Sequence, residues 1–550
     1  MTWDDAAIKA RVISNGDANN NYLVGYNDGS NRIYGLDGND EIYGGALDDM
    51  LDGGAGNDML SGGKGADTLD GGSGNDMLYG GTGNDTYRFA IGAGVDRIEE
   101  SDATAGNTDV VRFADVASSA LTALERKDSD LVIKYGTRDQ LTISNYFYSA
   151  EYKVEQFTFS NGVTWDEAAI KARVISNGDA NNNYLVGYND GSNRIYGLDG
   201  NDTIYGGALD DMLDGGAGND MLSGGKGADT LDGGSGNDML SGGKGADTLD
   251  GGSGNDMLYG GTGNDTYRFA IGAGVDRIEE SDATAGNTDV VRFADVASSA
   301  LTALERKDSD LVIKYGTSDQ LTISNYFYSA EYKVEQFTFS NGVTWDEAAI
   351  KARVISNGDA NNNYLVGYND GSNRIYGLDG NDTIYGGALD DMLYGGAGND
   401  MLSGGKGADT LDGGSGNDML YGGTGNDTYR FAIGAGVDRI EDYDTTTGNA
   451  DVLSIGQGVS INQLWFQHVG NDLEVSIIGT GDQITISDWY SNAAYHVEQF
   501  KTSDGKVLRD NQVNALVSAM AGFAPPALGQ TSLSTDYQKA LNPLIAAHWK

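Results

Sequence analysis

Residues 53–79 read GGAGNDMLS, GGKGADTLD, GGSGNDMLY: three nines, each opening Gly-Gly, each with Asp at position six and a large apolar residue at position eight. Glycines at positions one, two and four allow positive φ and hence sharp backbone turns. The triplet around position eight, such as Met59-Leu60-Ser61, is expected to be a short strand with its central residue inward. Leu51, Leu60, Leu69 and Leu78 then form thin apolar ladders on two parallel sheets. One turn buries too little to stand alone, so stability must come from stacking and from end caps.

The longer repeat fixes the size of one turn. Thr2-Trp3-Asp4 recurs at Thr164-Trp165-Asp166 and at Thr344-Trp345-Asp346, giving three near-identical modules at steps of 162 and 180. The steps differ by two nines, the stretch GGSGNDMLSGGKGADTLD at 233–250. Adding a whole turn leaves every later residue on its own face, whereas adding half a turn would not. Eighteen residues is therefore the expected structural unit. Met1 stands where Val163 and Val343 sit in the other copies, so the chain opens in mid-repeat, as expected of the tail of a longer protein or of a chain cut at a module boundary.

The nines run from Gly35 to Arg88, Gly197 to Arg268 and Gly377 to Arg430, in six, eight and six copies. Their position-six residues are Asp40, Asp49, Asp58, Asp67, Asp76 and Asp85; Asp202, Asp211, Asp220, Asp229, Asp238, Asp247, Asp256 and Asp265; and Asp382, Asp391, Asp400, Asp409, Asp418 and Asp427. Degenerate repeats precede the first array, with Asn21 and Asn31 where Asp would fall. In a coil of eighteen, Asp58 and Asp76 lie on one edge and Asp67 and Asp85 on the other. Strand spacing puts successive turns ~4.8 Å apart, where like charges repel by roughly 3.5 kcal/mol at an effective dielectric of ~20. Several such contacts exceed the ~5–15 kcal/mol stability of a typical domain. The arrays should not fold bare at neutral pH.

A hard divalent cation between turns reverses that repulsion, and Ca²⁺ suits best because it takes six to eight oxygens in loose geometry. Soft metals are disfavoured by 0 Cys and 3 scattered His. Pairing Asp residues along each edge gives about four, six and four full sites, or about 14 ions in all. The net charge of -47 fits cation partners and argues against nucleic acid and anionic membrane. Apolar runs are too short for a transmembrane helix.

The pattern GGxGxDxUx resembles the repeats-in-toxin (RTX), or haemolysin-type, calcium-binding repeat. The runs TYRF, DLVIKYG, QLTISNYF and VEQFTFSNG resemble the haemolysin-type calcium-binding-related domain that accompanies such repeats. The resemblance implies an all-β chain of right-handed parallel β-rolls alternating with β-rich domains and short helices, in three tandem modules. Two substitutions depart from the pattern: Leu36, Leu198 and Leu378 replace the glycine of position two, and Leu47, Leu209 and Leu389 that of position four. The first two nines of each array are therefore expected to bind weakly or to act as caps.

The expected boundaries are a short helix at 1–15, β-roll 1 at 16–88, a β-rich domain at 89–163 and a helix at 164–177. β-roll 2 follows at 178–268, a second β-rich domain at 269–343, a helix at 344–357, β-roll 3 at 358–430 and a third β-rich domain at 431–505. Thr164 and Glu167 form a capping-box pattern, with Ile170 and Val174 on one face of the helix they start. Trp165 and Trp345 are expected to anchor that helix. The remaining segment, 506–550, carries an apolar stripe of Val513, Leu516, Val517 and Met520, ended by Gly522 and Pro525-Pro526.

No HExxH, GxSxG or P-loop occurs, so the chain is not expected to be an enzyme. By the resemblance, the C-terminal segment is a type I secretion signal read by an ABC exporter. The arrays stay unfolded in calcium-poor cytosol, fold on extracellular Ca²⁺ and form a stiff rod outside the cell or at its surface. The start, MTWDDAAIKAR, has no basic-then-apolar leader pattern, which fits that route. A second reading remains open: a self-assembling surface-layer, matrix, filament or adhesin-stalk protein. Outward Tyr43, Tyr79, Tyr205 and Tyr259 are either a sticky stripe or ordinary exposed strand tyrosines.

Overall fold

The computed structural model describes Ile8 and residues 12–550. The helix expected over 1–15 lies for the most part outside the described residues. Two compact units, Met1–Asp289 and Val290–Lys550, divide the chain.

In the first unit, Arg32–Asp37, Met50–Ala55, Thr68–Ser73 and Thr86–Phe89 pair in parallel as one sheet. Tyr22–Val24, Glu41–Gly45, Met59–Lys64 and Met77–Thr82 form the other. Within the array partners lie eighteen residues apart, as in Leu51↔Leu69 and Leu60↔Leu78. Each nine is thus half a turn of a parallel β-roll, and the extra stretch 233–250 continues both sheets in register, Leu231↔Leu249 on one and Leu240↔Leu258 on the other. Ile33, Leu51, Leu69 and Tyr87 stack on the first sheet and Ile42, Leu60 and Leu78 on the second, all buried. The apolar ladder is one side chain wide, so each rung depends on the rungs beside it.

Two local details differ from expectation. Most array strands run six residues rather than three, because the position-one glycine stays extended and carries the strand on to position three of the next nine, as in Met59–Lys64. Positive φ falls only at positions two and four, for example Gly63 at 106° and Gly65 at 129°. The roll imposes this even on leucine: Leu36, at position two, has φ 82° and is half exposed. A left-handed leucine is strained by about 1–3 kcal/mol, held by the turns stacked on it.

The segment after each roll continues the roll's sheets. Thr86–Phe89 pairs in parallel with Val110–Phe113, and Val110–Phe113 with Gln156–Thr158. On the other sheet, Val95–Ile98 pairs with Met77–Leu78 and with Asp139–Ile143. An antiparallel hairpin, Asp130–Tyr135 with Asp139–Ile143, then folds back, and Leu121–Lys127 lies alongside it. Phe113, Tyr135, Tyr146 and Phe157 widen the core here.

Helix α1, Glu167–Lys171, is capped by Asp166, whose carboxylate accepts the Ala169 N–H at 2.9 Å. The expected cap Thr164 instead pairs with Thr158 in a short antiparallel strand, because Phe157↔Trp165 pairing holds it extended. Ile170 and Val174 are buried together. Trp165 packs edge-on against Phe159 at 4.7 Å, under the Arg173 guanidinium. Strand pairing then runs on into the second roll: Glu125–Arg126 with Ile175–Ser176, and Ser176–Asn177 with Ile195–Tyr196.

The second unit repeats these elements, with helix α2 at Glu347–Lys351, and adds a C-terminal cap. Helix α3, Asp510–Met520, buries Val513, Leu516, Val517 and Met520. A further helix, α4 at Thr535–His548, brings Leu541 and Ile545 onto the same core as Trp465 and Phe466. The chain end closes as a strand partner, Val507 N–H donating to Lys550 O at 2.8 Å.

Candidate metal-binding ladder

All twenty position-six aspartates are buried, none more than 3% exposed. They stand in two files per roll, one along each edge, joined by a repeated contact. The backbone N–H of each donates to Oδ1 of the aspartate one turn on: Asp40 to Asp58, Asp58 to Asp76, Asp49 to Asp67 and Asp67 to Asp85, at 2.7–2.8 Å. Rolls two and three repeat the spacing. The other oxygen, Oδ2, has no hydrogen-bond partner in any of the twenty.

Position-one glycine explains where Oδ2 is aimed. A Cβ on Gly53 would stand 2.4 Å from Asp58 Oδ2 and 2.6 Å from the carbonyl oxygen of Gly71, one turn on. Gly62 shows the same pair, Asp67 Oδ2 and Gly80 O. Two acceptors, one of them a buried carboxylate oxygen, thus converge on one small space with no donor between them. Burying such an oxygen unpaired costs several kcal/mol. An oxygen-seeking cation satisfies it; a side chain at position one would fill the cradle.

The Asn residues at the roll entrance supply the missing donor themselves. Asn31 Nδ2 donates at 2.8–3.1 Å to Asp49 Oδ1 and to the carbonyls of Tyr26, Gly29 and Gly44. Asn193 and Asn373 do the same in the other modules. One amide nitrogen here stands among four oxygens where the following turns offer only acceptors.

Burial pushes the carboxylates up without a cation: Asp58 to about 6, and Asp67, Asp238 and Asp409 to about 7, with neighbouring Asp charges adding to it. Folding the bare ladder therefore favours protons on these groups.

The files extend past the arrays. Asp76 N–H donates to Asp96 Oδ1 at 3.1 Å, and Asp85 N–H to Asp109 Oδ1 at 2.7 Å. Asp256, Asp265, Asp418 and Asp427 do likewise with Asp276, Asp289, Asp438 and Asp451. Burial pushes Asp96 up to about 7 and Asp438 to about 8. Sequence reasoning missed these residues. For Asp96 the signal was present: Gly92-Ala93-Gly94-Val95-Asp96-Arg97-Ile98 keeps positions two, four, six and eight of the nine but has Ile91 at position one.

The RTX calcium-binding nonapeptide repeat model matches ten overlapping stretches, spanning 15–87, 177–267 and 357–429. The haemolysin-type calcium-binding-protein-related domain matches 130–169, 310–349 and 472–512. The iron-regulated protein FrpA of Neisseria meningitidis serogroup C is 36% identical over 93 residues, which is 16% of this chain and 8% of that protein. Among solved structures, the extracellular lipase LipA of Serratia marcescens aligns over 52% of this chain and 40% of its own, at 17% identity and a TM-score of 0.15, too low to bear on the fold. Repeat signature, parallel rolls and matched segments agree: the chain belongs to the RTX family of calcium-binding repeat proteins.

Proposed function

We propose that the twenty position-six aspartates hold Ca²⁺ between successive turns of each edge, and that the chain is a secreted segment that folds on meeting extracellular calcium. The carrying observation is the unpartnered Oδ2 of every one of these buried aspartates, which in most intervals converges on the same space as a glycine carbonyl of the next turn. In each interval the aspartate Oδ2 and the position-one glycine carbonyl would be ligands. Bound calcium supplies the positive charge that those oxygens lack. The intervals within the arrays number about 14, and the continuation to Asp96, Asp276 and Asp438 adds one per module along one edge.

With cytosolic calcium scarce, repulsion and desolvation keep the rolls unfolded and fit for passage through a type I exporter. Extracellular-type sites bind at ~0.1–1 mM, so the rolls fold outside. Helices α3 and α4 serve as the C-terminal cap of that fold, whether or not the exporter also reads them. Parallel pairing that runs from the first module into the second roll supports a stiff tandem spacer for whatever effector or surface it serves. The chain carries no catalytic role in this reading. Far-UV circular dichroism of the full chain during calcium titration tests it: β signal should appear with calcium at neutral pH, and a complete β signal in chelator would refute it.

A further inference from the structure

On one edge, each roll ends in a cluster unlike any interval before it. A Cβ on Gly80 would meet Asp85 Oδ2 at 2.5 Å and, where earlier turns place a glycine carbonyl, the hydroxyl of Tyr87 at 2.2 Å. Tyr87 stands at position eight, where the array has leucine; its hydroxyl accepts the Gly80 N–H at 2.9 Å and donates to Glu100. Asp85, Glu100 and Asp109 each place one carboxylate oxygen within 4.8 Å of the other two, and all three residues are buried. Asp265, Glu280 and Asp289 form the same cluster in the second module. In the third module Asp442 holds the sequence position of Glu100, and the charges of Asp451 and Asp427 bear on it. Asp442 is 1% exposed and neither of its carboxylate oxygens has a hydrogen-bond partner. Asp85, Asp265 and Asp427 each keep an unpartnered Oδ2 as well.

We propose that each of these clusters is a separate closing site for one hard divalent cation, Ca²⁺ being the natural occupant; this rests on the calcium reading above. Oxygens bound to Ca²⁺ at 2.3–2.6 Å lie at most about 5 Å apart, so the three carboxylates of the first and of the second module, at the observed spacing, fit one ion; in the third module the corresponding residue, Asp442, offers two unpartnered oxygens. The site differs in kind from the array intervals. Past the last nine no further glycine carbonyl is available on this edge, and a third carboxylate, Glu100 or its counterpart, takes over that charge and ligand. Closing the roll with three acids also ties the segment after Val95–Ile98 to the last turn, so the roll's end is fixed only when the ion is in place.

The test counts calcium bound at saturation by the full chain, by equilibrium dialysis, in the wild type and in Glu100→Gln/Glu280→Gln/Asp442→Asn. The amides keep shape and hydrogen bonding but remove the third charge. Three ions fewer per chain is the expected result. An unchanged count and affinity overturns the closing site and means that the clusters share protons instead of metal. A second variant, Glu100→Lys, places an ammonium against Asp85 and Asp109 in the ion's stead. It should fold with one ion fewer, and an undiminished count there overturns the proposal even if the triple variant does not fold. A wild type that binds no calcium at all would instead refute the function proposed for the whole ladder.

Discussion

Replacing one ladder aspartate by asparagine in each roll should change stability in opposite directions with and without calcium. The substitutions Asp67→Asn, Asp238→Asn and Asp409→Asn sit mid-roll, where burial pushes each carboxyl up to about 7. A folded-state pKa raised about three units above the ordinary carboxylate value means that the bare fold is penalised once the unfolded chain ionises. The penalty is absent below about pH 4, grows between about 4 and 7, and is complete above that, at most about 4 kcal/mol per group. Relaxation and water entry would reduce it to about 2 kcal/mol. Asparagine removes it, and Asn31 shows how the amide seats: Oδ1 accepts the Tyr26 N–H at 2.8 Å while Nδ2 donates to the carbonyls around it. The calcium-free variant should therefore hold its β structure to higher pH than the wild type. In calcium the sign reverses. Each substitution weakens the two intervals it borders, and losing two ions held at a hundredfold excess over Kd costs about 5 kcal/mol per roll. Circular dichroism across pH 4–8 without calcium, and urea unfolding at pH 7.5 with it, read the two effects. A shift of the same sign in both conditions would refute the buried-charge account.

Gly53→Ala puts a methyl where Asp58 Oδ2 and Gly71 O converge, and should lower calcium affinity, read as a higher calcium midpoint for folding. Its control, Gly92→Ala, has φ 92° and open space around the new methyl, so it should cost only about 1–2 kcal/mol of strain and leave the calcium midpoint near that of the wild type. Deleting 233–250 removes a whole turn and brings Asn255 onto Asn219, preserving the Asn ladder that now passes through Asn237. Deleting only 233–241 sets Asn255 over Ala228, which offers no side-chain acceptor, and turns the closing cluster at Tyr267 to the other edge; its melting temperature in calcium should fall further, and equal values would make nine the structural unit. Metal-free wild type should gain β signal on acidification from pH 7.5 to about 4.5, as protons replace the missing cations on the raised carboxyls; no gain would mean that charge is not what unfolds it.

Much of this was readable from the chain because the period forces it. Once a turn is eighteen, Leu51, Leu60, Leu69 and Leu78 must face inward and the aspartates must line two edges. Asn21 and Asn31 were visible as ladder positions, although their role as donors depends on contacts that the pattern does not encode. Beyond Arg88 the period breaks. Asp96 follows Asp76 by twenty residues and Asp109 follows Asp85 by twenty-four, so the pattern does not reveal that Val95–Ile98 and Val110–Phe113 continue the roll's two sheets in parallel. Glu100 carries no motif; only the approach of Tyr87 brings it to the ladder. Helix α4 was hidden by Pro543 inside it, and the cap of α1 by strand pairing that claims Thr164.

The central claim is that the ladder is built to be completed by calcium. Calorimetric titration of the metal-free full chain at pH 7.5, with circular dichroism on the same samples, tests it most directly. More than a dozen ions should bind, and β structure should rise in step with their binding. One or two ions per chain, or a β signal already complete before any calcium is added, would contradict it.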